Sequence, residues 1–374
     1  LKNILFVLRN HFTNDSRVLK EATSLAKDGY KVTIRCLWDS DLPKVENTDQ
    51  YTVERVCYSK RGLGGSKLKK IITFIKFLFK CLKNINNFDV IHCHDLDGLI
   101  IGAAGKMLRF GNVKIVYDAH EYEAERVGLS GAQRKIFYFI EFLVIKFADE
   151  VICVSDSIAN EYVKNYKIDK PKLILNCPKS ISKLGEYDYF REKFNLKKNQ
   201  VIFLYQGMLG PSRGVELLIN AFTKVKDKNK VIVFMGYGSL YSKIEEACEV
   251  TDNVYLHEAV KPDVLLNYTC SADVGLVLIE NTCLSYYYCL PNKLFEYTQA
   301  NLPVIVSDLP ELRAIVENYE NGVVVKRDSS AIALAVDNFS LDNINQFKKN
   351  IPEMKRKYNW EQQELVLLDL YKSF

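Results

Sequence analysis

The chain has 374 residues, 48% of them hydrophobic, enough to fill two α/β cores and to exclude a disordered protein. A formal charge of +5 is too mild to point to nucleic acid as a partner, and no run reaches the roughly 18 to 20 uninterrupted apolar residues of a membrane span. Ten Cys lie scattered in apolar runs without Cys-x-x-Cys spacing, and the N-terminus has no secretory pattern, which predicts reduced core thiols and a cytoplasmic protein.

Short apolar segments alternate with longer amphipathic ones, as in a parallel sheet covered on both faces. Strands are predicted at 3–8, 31–36, 90–94, 114–117 and 151–154, then at 201–205, 231–235, 273–279 and 304–307. After the first comes Arg9-Asn-His-Phe-Thr-Asn-Asp-Ser-Arg17. Here Asn14, Asp15 and Ser16 can cap a helix over 18–28, and Gly29 can stop it. The segment from Ser66 to Lys83 carries six Lys and no acid, interleaved with Ile71, Ile72, Phe74, Ile75, Phe77, Leu78 and Phe79. Such a helix suits an anionic membrane surface through Lys69, Lys70 and Lys76, with a half-buried helix whose Lys face water as the alternative.

Two polar clusters follow strand ends, where α/β sheets bind ligands. His92, His94, Asp95 and Asp97 form the first and read as a strand end and helix cap rather than a metal site. His120, in Asp118-Ala-His-Glu, can hydrogen-bond a sugar hydroxyl or serve as a structural His beside Asp118 or Glu121. The stretch 179–199 lacks apolar periodicity and sets a domain boundary near Pro178. Beyond it, the most informative segment is Cys289-Leu-Pro-Asn-Lys-Leu-Phe-Glu296. Pro291 suits a first helical turn, whose N–H groups can take an anion; Lys293 adds charge, and Glu296 lies on about the same face as Asn292, suited to a diol.

This segment resembles the donor-binding motif of retaining glycosyltransferases of the GT-B type, family four. So do Tyr205-Gln-Gly-Met-Leu-Gly-Pro-Ser-Arg213-Gly, Val231 to Gly238 with its Gly-x-Gly turn, and Ala148 to Ser155. The resemblance implies two Rossmann-like α/β domains facing each other across a cleft: an acceptor domain over 1–178 and a nucleotide-sugar donor domain over 179–357. A C-terminal helix over 358–374 would return to the first domain. It implies hexosyl transfer from a nucleoside diphosphate sugar to a glycan or lipid-linked acceptor in surface polysaccharide synthesis, with no metal and no other cofactor. His120, Arg213 and Lys293 are the expected catalytic residues, with Gly207, Gly236, Asn292, Glu296 and Tyr288 at the donor.

The sequence also departs from the family. No Gly-rich turn follows the first strand, which leaves Arg9, His11 and Arg17 as side-chain substitutes; Tyr288 stands where the first of two paired Glu is expected, with Glu280 as a candidate replacement; and Met208 replaces a second diphosphate Arg. A sugar-nucleotide epimerase of the same fold and a non-catalytic subunit remain as alternatives.

Overall fold

The computed structural model describes residues 2–60, 67–181, 185 and 187–374. It divides into two units, Leu1–Asn176 with Glu364–Phe374, and Cys177–Gln363. The division falls at Asn176/Cys177 rather than 178/179. The returning segment begins at Glu364, inside a helix over Trp360–Lys372, rather than at 358.

Unit 1 is built on eight strands: β1 (Asn3–Val7), β2 (Lys31–Trp38), β3 (Val45–Asn47), β4 (Tyr51–Tyr58), β5 (Val90–His94), β6 (Lys114–Asp118), β7 (Glu150–Cys153) and β8 (Lys172–Leu173). Their order is β3-β4-β2-β1-β5-β6-β7-β8, parallel except for the β3 edge. Ile4, Leu5, Phe6 and Val7 are all fully buried, the continuous apolar run expected of a strand covered on both faces. Asp15 caps the following helix, Ser16–Lys27, by accepting the Val18 N–H, and Gly29 at φ +94° turns the chain out of it.

Unit 2 has six parallel strands: β9 (Val201–Met208), β10 (Lys230–Tyr237), β11 (Val254–Glu258), β12 (Val274–Val277), β13 (Val304–Ser307) and β14 (Gly322–Val325), in the order β11-β10-β9-β12-β13-β14. In each unit the chain winds outward in both directions from a central pair, β1 with β5 and β9 with β12. The crevices at the carboxyl ends of those pairs are where such sheets bind ligands. β3, β4, β8, β11 and β14, absent from the sequence prediction, lie at or next to sheet edges.

Candidate functional site

In unit 2 the carboxyl ends of β9 and β12 gather the residues singled out in the sequence. Gly207, at φ +111°, is the penultimate residue of β9 and lies opposite Gly236 of β10. A Cβ on Gly236 would lie 1.8 Å from the Gly207 carbonyl oxygen, so Gly236 serves close strand packing. Gly214, at φ +77°, caps the Val215–Phe222 helix; its missing Cβ makes room for the Leu278 carbonyl, and the Glu280 N–H donates to the Ser212 carbonyl at 3.0 Å. These contacts clamp the Arg213 loop onto the exit of β12. The Arg213 guanidinium lies 5.2 Å from the centre of the Tyr286 ring.

Pro291 is the N-cap of the Asn292–Gln299 helix rather than part of its first turn, while Asn292 is exposed at the helix start. The Lys293 side chain is buried, with Nζ 3.7 Å from the centre of the Tyr205 ring and 4.0 Å from where a Cβ on Gly207 would stand. Burial and the Arg213 charge pull its amine down to about 7, against Glu296 and Cys289, which favour the charged form. One turn on, Glu296 accepts from Gln206 Nε2 at 2.5 Å, and Gln206 Oε1 accepts from the Thr269 hydroxyl at 2.8 Å. Only this amide orientation turns a donor to the carboxylate. Gln206 escaped the sequence reading because it sits in an apolar strand; a buried amide there was the available signal. Tyr288 packs with its ring 5.0 Å from that of Tyr287, and Met208 is about half exposed. The site thus combines two basic side chains, a carboxylate held in orientation and a helix N-terminus, which is the chemistry for a diphosphate joined to a diol.

Unit 1 holds a buried charge network at the carboxyl ends of β5 and β6. Arg17 grips Asp118 through Nε at 2.8 Å and Nη2 at 2.5 Å, and donates from Nη1 to the Ile174 carbonyl at 2.7 Å. Arg17, expected from the sequence as a side-chain substitute for the missing Gly-rich turn at donor or acceptor, is not free for that role: its donors are spent inside a closed core. Burial would raise the Asp118 carboxyl, yet Arg17, His120 and His92 hold it well below the usual range. His120 Nε2 lies 3.0 Å from both Asp118 Oδ2 and His94 Nδ1. Burial disfavours its charge, but Asp95 and Asp118 outweigh this and raise it to about 10, so the imidazolium persists at neutral pH. His92 meets the Tyr371 hydroxyl at 2.7 Å, and burial followed by His94 lowers it to about 3. Glu21, missed in the sequence because it reads as an ordinary helical acid, is fully buried 3.2 Å from Arg17; burial and then Asp118 raise it to about 8.

Among the described residues, Glu21, His92, His94 and Asp118 form a group with metal-ligand chemistry, their ligand atoms within 4.8 Å of one another. The Arg17 guanidinium already lies against both carboxylates and supplies the charge a cation would bring. Asp97 instead pairs with Arg9 at 3.0 Å. Arg9 also donates to the Lys70 carbonyl at 3.2 Å, tying the Lys67–Leu82 helix to the sheet, while His11 turns to the Ser59 carbonyl at 2.5 Å. Lys69, Lys70 and Lys76 are exposed on that helix; Ser66 lies outside the described residues.

Residues 16–177 match Glycosyltransferase Family 4, and residues 200–342 match Glycosyl transferases group 1. The chain is a glycosyltransferase of this family. It is 27% identical over 380 residues to an uncharacterized glycosyltransferase of Methanocaldococcus jannaschii, covering 94% of this chain and 92% of that one. Its fold matches sucrose-phosphate synthase from Thermosynechococcus elongatus with TM-score 0.81 at 20% identity, covering 100% and 99% of the two chains. Anabaena HepE, solved in complex with UDP-glucose, matches with TM-score 0.76 at 13% identity and covers 100% of both. The two parallel-sheet units are those of the GT-B fold.

Proposed function

We propose that this glycosyltransferase moves a hexose-type sugar from a nucleoside diphosphate to a hydroxyl of a glycan or lipid-linked acceptor, with retention at the anomeric carbon. The observation that carries the reading is the convergence of Lys293, Arg213 and the oriented Glu296 at the β9/β12 crevice. As the bond from the anomeric carbon to the diphosphate oxygen breaks, negative charge grows on the diphosphate. Arg213, Lys293 and the first N–H groups of the Asn292–Gln299 helix stabilise that charge. A diphosphate oxygen takes the acceptor proton, so no side-chain nucleophile is needed and no metal is required for charge neutralisation. Glu296 accepts from the ribose hydroxyls, with Asn292 and Tyr288 at the rim. His120, in unit 1 and held as a cation, is suited to donate to a sugar hydroxyl.

The Lys67–Leu82 helix favours an acceptor carried on lipid. It buries Phe77 and Cys81 against unit 1, as the half-buried alternative expects, yet exposes Leu68, Ile71, Ile72, Ile75 and Phe79 together with its Lys, more apolar surface than a solvated face needs. No helix among the described residues is long and apolar enough to cross a membrane; the contact proposed is peripheral, on an anionic surface. A thermal-shift screen of nucleotide sugars should find a stabilising donor, and Arg213→Ala and Lys293→Ala should each slow its turnover roughly a hundredfold. Folded variants that turn over at the parent's rate, or a parent that binds no nucleotide sugar, would overturn the assignment.

A further inference from the structure

The Gly131–Val144 helix is built inside out. Its one carboxylate, Glu141, is fully buried and accepts hydrogen bonds from the hydroxyls of Tyr117 at 2.5 Å, Tyr162 at 2.6 Å and Tyr166 at 2.6 Å. Glu141 is the only residue of this helix that is buried outright. Phe137, Ile140, Phe142 and Val144 are half-buried, while three of its apolar side chains point the other way: Ile136 is 55% exposed, Phe139 60% and Leu143 47%. Their i, i+3, i+7 spacing makes one stripe, and Glu141 sits about 200° around the helix from Phe139. Three hydroxyl donors satisfy the buried carboxylate and so hold the helix in this orientation at no cost in unpaired groups.

We propose that this stripe docks on an anionic lipid surface, as a second membrane contact beside the Lys67–Leu82 helix; the proposal rests on the reading of the enzyme as membrane-peripheral. Two observations select lipid as the occupant. The first is continuity. The helix over Asp95–Leu108 packs against both the Lys67–Leu82 and the Gly131–Val144 helices, so the three form one layer on the unit 1 sheet, and Met107, Leu108 and Phe110 at the end of the middle helix are exposed as well.

The second is charge. On the helix and just beyond its end the exposed ionic side chains are Lys135 and Lys146, with Arg134 paired to Glu125, while the neighbouring Lys67–Leu82 helix exposes Lys69, Lys70, Lys76 and Lys80. The acid of the helix is turned inward and every exposed charge on it is positive. A second copy of the chain on this face would set like charges against each other, whereas acidic headgroups meet them with the opposite sign and the acyl region takes the rings.

The experiment uses the full chain and sedimentation with vesicles of phosphatidylglycerol and phosphatidylcholine at low salt, and with phosphatidylcholine alone as control. The parent should sediment with the acidic vesicles. Ile136→Ser/Phe139→Ser/Leu143→Ser should weaken that binding roughly tenfold or more, with thermal stability and donor hydrolysis as in the parent, because the replaced side chains are solvent-exposed. A Phe139→Trp reporter should blue-shift on adding acidic vesicles. If the parent and Lys69→Glu/Lys70→Glu/Lys76→Glu differ in binding while the triple Ser variant binds like the parent and the reporter does not shift, the second contact is wrong and the first stands. A parent that fails to bind acidic vesicles overturns both. A dimer that the triple Ser variant dissociates without loss of vesicle binding assigns the face to a second copy and also overturns the proposal.

Discussion

Lys293 owes its chemistry to the start of its helix, which buries an amine over the Tyr205 ring with Arg213 nearby. An amine lowered to about 7 is half neutral in the free enzyme at neutral pH, and a diphosphate beside it favours the ammonium. Donor binding therefore takes up a proton above pH 7. Affinity for a nucleotide sugar, whose diphosphate does not titrate there, should fall by up to about tenfold per pH unit above 7, and calorimetry in buffers of different ionisation enthalpy should show the uptake. Binding free of proton exchange at pH 8 would refute it. Glu21 gives the opposite lesson, a carboxyl kept protonated. Its folded value of about 8 lies above the ordinary value of about 4.3, so its stabilisation is full below the unfolded value and is lost as pH rises through 8. Glu21→Gln keeps the neutral form in both states, so its melting temperature should match the parent near pH 4 and decline less as pH rises from about 5 to 8. An equal decline in both proteins over that range would show that Glu21 is already ionised.

At the scale of elements, the Arg213 loop depends on one backbone position. Gly214 holds φ +77°, and a Cβ there would lie 2.3 Å from the Leu278 carbonyl oxygen, a clash that no rotamer change relieves. Gly214→Ala should cost about 1–3 kcal/mol and displace Arg213, so donor-induced thermal stabilisation should shrink even where the variant folds. Full stabilisation by donor would show that the loop does not carry the grip. This dependence was legible in the sequence, because Arg-Gly between a strand and a helix is a local signal. The strands missed were not. In Tyr51–Tyr58 the buried positions are Val53, Arg55 and Cys57, and Arg55 breaks the apolar alternation because its guanidinium is satisfied by Glu46 and the Pro43 carbonyl. Gly322 opens β14 where a Cβ would meet the Val304 carbonyl, so close strand packing took the place of an apolar side chain. Arg17 and Glu21 were misread or missed for a related reason. Their burial is settled by Asp118, about a hundred residues away in the chain, which no local pattern announces.

For the whole molecule, the two-unit division was readable from the alternation of strands and helices, but the share of the last helix that each unit claims depends on packing. Glu364–Phe374 belongs to unit 1, where Leu367, Leu370 and Tyr371 are buried and the Tyr371 hydroxyl meets His92. Trp360, earlier in the same helix, donates its N–H to the Pro178 carbonyl within unit 2. Each unit has its own core, so heating should give two transitions, of which a bound nucleotide sugar raises the one belonging to unit 2. A chain ending at Gln363 strips three buried side chains from unit 1 and leaves the His92 ring without its hydroxyl partner. Losing even one large core side chain costs about 3–5 kcal/mol, a large fraction of the stability of a domain. The truncated chain should therefore lose or sharply lower the unit 1 transition, while the donor-responsive transition of unit 2 stays within a few degrees of the parent. Calorimetry with and without donor separates the two, and a truncated chain in which both transitions survive unchanged would mean that the returning segment is not part of the unit 1 core.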